Sequence, residues 1–268
     1  QALREASLAA DAAAPPAIAS IARRAIEGIA ALPARDAGQR ASTVRMTEAL
    51  PSWLPARRTI GGFYVLRPLA SGGGGSVLVA VRIEERQEEG AQRFALKVPA
   101  YDASAARTVS ETEFFEMFRA EAGALIAVPT HPNLARFVTF DTGSKPKPIL
   151  VMELVEGQNL EHEIASGALD AKRALDVLDD VLAGLEAMHG VGVGHLDLKP
   201  SNVVLREGHD AVLVDFGLAG RHLRPGCATG PYGAPEMWAG SPGASPLAAD
   251  VYAFGCVAYE ALTGEVLF

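Results

Sequence analysis

The sequence predicts an α+β fold in two lobes, a small β-rich lobe followed by a helical one. Two observations carry that prediction. Between Thr59 and Leu154 the chain shows strand-like apolar runs, "GGFYVLRPLA", "SVLVAVRIEE", "RFALKV", "LARFVTFD" and "PILVMEL", broken by one helical stretch. After Gly157 the long periodic segments are helical: "AKRALDVLDDVLAGLEAMHG" at 171–190 and "AADVYAFGCVAYEALTG" at 248–264, each stopped by a glycine. With 268 residues, 49% hydrophobic and 21% charged, the chain is long enough to bury a sizeable core.

Composition excludes several function classes. A net charge of −8 argues against a nucleic-acid partner and against grip on an anionic membrane surface. No apolar run is long enough to span a bilayer, so no membrane contact is expected within these residues. Cys227 and Cys256 have neither zinc-ligand spacing nor the number for a disulfide framework. A reducing, cytoplasmic setting is therefore expected. No signal peptide opens the chain, and Gln1 in place of Met reads as a fragment edge or a processed end.

Residues 1–58 read as a helical segment and linker. Ile18, Ile21, Ala22, Ala25, Ile26 and Ile29 recur at helix spacing after Pro15 and Pro16. A second short helix is expected from Ser42 or Thr43, with Met46, Ala49 and Leu50 on one face. "PSWLPARR" (51–58) reads as a linker, its prolines breaking any helix. The β-rich lobe then spans 59–152 and the helical lobe 153–268. Within the first lobe, "RIEERQEEGAQR" (82–93) is a solvated hairpin, and 110–128 is a helix with Phe114, Phe118, Ala122 and Leu125 along one face.

Three stretches carry chemistry. In "LASGGGGSV" (69–77), glycines between two strands let the backbone approach a bound group and aim N–H donors at phosphate oxygens. Alone, the run also fits a flexible hairpin. Lys97 lies in the apolar strand "FALKV", where an unpaired ammonium is costly. It is either an edge lysine facing water or a phosphate ligand held by a carboxylate, and Glu121 is the carboxylate within reach. "GVGHLDLKPSNVVL" (192–205) places Asp197 and Asn202 in a loop after a long helix, and "VLVDFGLAG" (212–220) places Asp215 at a strand end. Asn202 and Asp215 are hard oxygen ligands suited to Mg²⁺, and Asp197 can accept a hydroxyl proton.

The order is what decides. A Gly-rich loop, a strand lysine, a helix glutamate, "HLDLKPSN", "DFG" and "APE" (234–236) follow one another as in the protein-kinase signature set. Residues 60–268 resemble the protein kinases, most of all the bacterial serine/threonine kinases of eukaryotic type. The resemblance implies a two-lobed kinase fold, ATP as its Mg²⁺ complex, and Ser/Thr hydroxyls of protein substrates in signalling. It places Gly72 and Gly75 at the second and third glycines of the phosphate loop, with Gly73 and Gly74 between them and Ala70 where the first glycine usually stands. Val77 and Ala95 fall among the nucleotide-binding positions, Met152 at the gatekeeper, and Glu153, Leu154 and Val155 in the hinge. Lys97 would hold the α- and β-phosphates, oriented by Glu121. Asp197 would orient the substrate hydroxyl, Lys199 would neutralise the moving phosphoryl group, Asn202 and Asp215 would hold Mg²⁺, and His195 would brace the loop. Lys199 with Thr229 favours serine and threonine as acceptors, and 228–236 would position the substrate.

Two departures shape the expectation. Leu196 stands where the family usually has an arginine that pairs with an activation-loop phosphate, and no Ser, Thr or Tyr lies between Gly217 and Cys227. The expectation is a kinase not switched by activation-loop phosphorylation. Ala70 and Leu196 also keep open a pseudokinase scaffold. The second departure is that the chain stops at "LTGEVLF", where the family continues with further helices, including an arginine partner for Glu236. Residues 17–50 are similar to the last helices of a kinase. They read as the tail of an upstream kinase, as an unrelated helical linker, or as a segment that folds back to bring Arg40 to Glu236. Cys227 reads as an inert thiol and Cys256 as core.

Overall fold

A computed structural model of the chain describes residues 49–72, 75–101, 105–107, 110–207, 210–216, 218–223, 229–239 and 244–268. The helices expected before Ala49, Arg40, Gly73, Gly74, Gly217 and Cys227 lie outside these residues.

The first lobe is one antiparallel sheet of six strands: β1 (Thr59–Ile60), β2 (Phe63–Gly72), β3 (Gly75–Arg82), β4 (Phe94–Pro99), β5 (Phe137–Asp141) and β6 (Ile149–Glu153), in the order β1-β2-β3-β4-β6-β5. Its two faces follow from period-two alternation. In β4, Phe94, Leu96 and Val98 are buried while Ala95 and Lys97 are half-buried. The buried set packs with Phe63, Val65, Leu78, Ala80, Ile149 and Val151 into the lobe's own core. Phe63 meets Phe94 edge-to-face at 5.4 Å, and the Arg82 guanidinium lies over both rings.

Residues 51–58 do not run free as a linker would. Two turns, closed by Leu54 N–H on Pro51 O (3.0 Å) and Arg58 N–H on Pro55 O (2.7 Å), pack Leu50, Trp53 and Leu54 onto this core. The Lys147 ammonium sits 5.2 Å from the Trp53 ring centroid. Prolines did break the helix, as expected, but the apolar residues between them found the sheet.

Helix α1 (Glu111–Ala127) begins at a capping box: the Ser110 hydroxyl takes Glu113 N–H, and the Glu113 carboxylate takes Ser110 N–H at 2.8 Å. Phe118, Ala122 and Leu125 face inward as the periodicity predicts. The second lobe holds α2 (Leu160–Ser166), α3 (Ala171–His189), α4 (Pro235–Ala239) and α5 (Pro246–Thr263). The Asp170 carboxylate caps α3 by accepting Arg173 N–H at 2.7 Å. Ala174, Val177, Leu178, Val181, Leu185 and Met188 form its buried stripe. α5 is buried over much of its surface, with Cys256 inside it.

A small sheet was not foreseen in this lobe: β7 (Gln158–Asn159), β8 (Val203–Leu205) and β9 (Ala211–Leu213). Strands of two or three residues carry no period to read. A core from Phe118, Leu150 and Met152 through Val181 and Leu213 to Phe216 and Phe254 joins the lobes. Among the described residues no helix is long and apolar enough to cross a membrane.

Candidate active site

Sheet register builds the upper half of the site. Ala70 lies opposite Val77, Val77 opposite Lys97, and Ala95 opposite Met152. Directly opposed residues share a face, so Ala70, Val77, Ala95, Lys97 and Met152 lie on the side away from the first lobe's own core. Gly72 and Gly75 pair at the neck of the glycine run. Gly75 has φ +137°, and a Cβ there would collide with the Val98 carbonyl. The position therefore demands glycine for both conformation and space.

Lys97 is not an edge lysine. Its Nζ lies 2.9 Å from Glu121 Oε1 and 3.6 Å from Asp215 Oδ1. Burial alone would push the ammonium's pKa down; the Glu121 and Asp215 carboxylates outweigh it and hold the pKa above the ordinary lysine value. One cation thus links β4, α1 and the strand end after β9.

The lower half hangs on the 192–205 loop. The Lys199 ammonium donates to Asp197 Oδ2 (2.8 Å), and Asn202 Nδ2 donates to the same oxygen (3.1 Å) and to Asp197 O (2.9 Å). The Thr229 hydroxyl donates to Asp197 Oδ1 at 2.6 Å while its oxygen accepts from Lys199 Nζ at 3.2 Å. With its amide nitrogen engaged by Asp197, Asn202 has its carbonyl oxygen left for a cation. Val214 N–H donates to Asn202 O (2.9 Å), which sets Asp215 beside Asn202. Asp215 adopts φ +56° and keeps 46% of its side chain exposed.

His195 is fully buried and braces two loops. Asp197 N–H donates to its Nδ1 (3.3 Å), so the ring proton sits on Nε2 and is given to Val214 O (3.2 Å). The ring also lies 5.2 Å from that of Phe216. Leu196 (φ +63°) is buried against Ala234, Met237 and Ala249.

In the hinge, Glu153 N–H donates to Arg136 O at 2.9 Å. Its side chain turns away from the Lys97 face, because Glu153 lies opposite Phe94. Val155 packs on the inter-lobe core, and among the described residues its N–H donates to no backbone carbonyl.

The structure thus brings Lys97, Glu121 and Asp215 into one cluster and Asp197, Lys199 and Asn202 into another, with Val214 N–H on Asn202 O joining the segments that carry them. The sequence reading had missed Asp250. Its buried carboxylate takes the N–H groups of His195 and Leu196 and a ring nitrogen of His189. A lone acid in the apolar run "AADVYAFG" was the available signal. Among the described residues no cluster of three or more His, Cys, Asp or Glu could hold a metal ion. An Asn–Asp pair suits a hard cation that keeps water and substrate oxygens as its other ligands.

The family model for the protein kinase domain matches residues 63–268. The serine/threonine-protein kinase pkn2 of Myxococcus xanthus is 35% identical over 222 residues, covering 78% of this chain and 25% of its own length. Serine/threonine-protein kinase PknA of Mycobacterium tuberculosis is 36% identical over 220 residues, 77% of this chain and 48% of the relative. Serine/threonine-protein kinase PrkC of Bacillus subtilis is 29% identical over 224 residues, 80% and 32%. The chain spans less than half the length of each of these relatives. It belongs to the protein kinase family, on the bacterial serine/threonine branch of eukaryotic type.

Proposed function

We propose that the chain transfers the γ-phosphoryl group of ATP, as its Mg²⁺ complex, to serine or threonine hydroxyls of protein substrates. The observation that carries this is a pair of networks, Glu121–Lys97–Asp215 and Asp197–Lys199–Thr229, on segments joined by Val214 N–H on Asn202 O. Positioning and charge neutralisation are what phosphoryl transfer asks of a protein.

The adenine lies under Ala70, Val77 and Ala95, beside Met152, held by the Glu153 carbonyl and the Val155 N–H. Gly72 and Gly75 flank the phosphate loop, and Lys97 binds the α- and β-phosphates with Glu121 fixing its ammonium. Asn202 Oδ1 and the Asp215 carboxylate would hold Mg²⁺, which when bound would neutralise phosphate charge. Asp197 orients the acceptor hydroxyl and takes its proton as the oxygen bonds to the γ-phosphorus. The bond from that phosphorus to the β,γ-bridging oxygen breaks, and ADP leaves. Lys199 sits against the charge that develops on the transferred group. The domain limits follow this division: 1–58 ahead of the kinase fold, 59–152 as the nucleotide-holding lobe, 153–268 as the catalytic and substrate lobe.

The activation segment is not a phosphorylation switch in this proposal. Leu196 lies in an apolar cluster and itself supplies no guanidinium to receive a phosphate, and 218–226 contain no hydroxyl residue. A phosphosite mapped there, with activity depending on it, overturns this part.

The test compares Mg-ATP transfer to protein by the chain in its natural full-length context with its Asp197→Asn and Lys97→Met variants. Transfer at least a hundredfold above both supports the reading. Nucleotide binding without transfer above the variants favours the scaffold reading that Ala70 and Leu196 keep open.

A further inference from the structure

Arg206 follows β8 in the second lobe, yet its guanidinium serves the hinge. Nη2 donates to Glu153 Oε1 at 2.7 Å, and Nη1 reaches the Pro132 carbonyl at 3.4 Å. The other Glu153 oxygen accepts Arg136 N–H at 3.3 Å, and Glu153 N–H donates to Arg136 O. One guanidinium therefore ties together the turn after β8, the hinge, and the turn that follows α1. That last turn is itself pinned to β9, through Asn133 Nδ2 on Ala211 O (2.8 Å) and Leu213 N–H on Asn133 O (2.9 Å).

The pair is well placed to matter. The Arg206 and Glu153 side chains are 31% and 27% exposed, so water screens their attraction only in part. A second pair crosses the hinge, Arg93 Nη1 to Glu156 Oε1 at 2.9 Å, but its side chains are 55% and 64% exposed and it holds little. Neither the Arg206 nor the Glu153 side chain faces the nucleotide, because Glu153 lies opposite Phe94 and away from Ala95 and Lys97.

We infer that Arg206 is a positioning residue for the nucleotide: by locking Glu153 between the two turns, it fixes the spacing of the Glu153 carbonyl and Val155 N–H that hold the adenine. The inference rests on the nucleotide-binding reading above. The lock acts on binding equally in the ground and transition states, so it sets ATP affinity and leaves the chemical step alone.

In the full-length protein, Arg206→Ala raises the Kd and KM for Mg-ATP about five- to tenfold, roughly 1–1.4 kcal/mol. Its kcat stays within about twofold. Arg206→Lys gives an intermediate loss, since an ammonium cannot span both acceptors in one plane. Reversing the pair, Glu153→Arg with Arg206→Glu, recovers affinity relative to either single change. A cooperatively melting Arg206→Ala protein with wild-type Kd overturns the inference, as does a loss confined to kcat. If Arg206→Ala fails to fold, Arg206→Lys carries the same comparison. If the wild-type protein binds no nucleotide, the functional reading falls on its own, and amide hydrogen exchange decides the lock. Faster exchange at Leu154 and Val155 in the variant supports it, and unchanged exchange removes it.

Discussion

Asp250 Oδ1 accepts the Leu196 N–H at 2.7 Å, joining the first turns of α5 to the loop that carries Asp197. Its Oδ2 accepts His195 N–H and pairs with His189 Nε2, both at 2.8 Å, and the residue is 1% exposed. Leu196 needs this support, because its left-handed backbone costs about 1–2 kcal/mol relative to the ordinary helical region. Asp250→Asn puts an amide NH₂ against N–H donors and leaves a buried donor unmet. We expect a loss of about 2–4 kcal/mol in unfolding free energy. Phosphoryl transfer should fall at least tenfold, since Asp197 follows Leu196. Denaturant melts and kcat read the two effects, and a variant as stable as wild type would remove the role.

Leu196 itself is the second test. It fills an apolar cluster with Ala234, Met237 and Ala249, while both Asp250 oxygens already have partners. Leu196→Ala should cost about 2–4 kcal/mol. Leu196→Arg should melt lower still, because its guanidinium would be buried in an apolar cluster while both Asp250 oxygens are already engaged. An arginine variant as stable as wild type would mean that the site was built for a cation.

These two residues mark how far the sequence could be read. Lys97 was legible because a charge inside an alternating apolar strand must be explained locally. Asp215 was legible because it ends one. The long helices announced themselves by period and by their terminal glycines. Asp250 was not read as part of the site, because its partners Leu196 and His195 lie 54 and 55 positions away. Arg206 pairs with a residue 53 positions back, and Thr229 reaches Asp197 across 32. Such pairings are set by packing that no local pattern encodes. Strands β7 to β9 were invisible for a different reason, being shorter than one readable period.

Thr229 offers a test that separates chemistry from nucleotide binding. Its hydroxyl is shared between Asp197 and Lys199, so it holds both side chains in register. Thr229→Ala should lower kcat about 10- to 100-fold, as expected for small misplacements of reacting groups. The KM for ATP should hardly change, because among the described residues the hydroxyl is bonded to Asp197 and Lys199, both in the second lobe. Thr229→Ser keeps the hydroxyl and should keep most of the rate. Equal losses in Ala and Ser variants would trace the effect to the methyl group instead.

Asp179 gives a pH signature. Partial desolvation on the α3 surface, and then the negative charges of Asp176 and Asp180 on the same helix, raise its carboxyl pKa above the ordinary aspartate value. The folded state therefore binds this proton more tightly than the unfolded chain. The carboxyl's contribution is most favourable below the unfolded pKa and is lost as pH rises through the folded one. Asp179→Asn removes the like-charge contact and should stabilise the protein at pH 7 by about 0.2–0.5 kcal/mol. The gain should fade in melts run below about pH 4, where the aspartates are protonated. A gain that persists in acid would point to packing rather than charge.

Trp53 lies outside the residues matched to the kinase family, yet it covers the first lobe's core and receives the Lys147 ammonium at 5.2 Å. Lys147 also donates to Pro99 O at 3.3 Å, so it ties the β5–β6 connection to the end of β4. Trp53→Ala strips a half-buried indole from the sheet and should cost about 2–3 kcal/mol, somewhat less than a fully buried aromatic. Lys147→Ala should cost about 0.5–1 kcal/mol from the ring contact, with a further share from the lost hydrogen bond. Because the two side chains touch, the double variant should lose less than the two single losses combined, by about the ring-contact energy. Strict additivity in thermal melts would mean that lysine and indole are neighbours without attraction. A Trp53→Ala protein that melts like wild type would return residues 51–58 to the status of a linker.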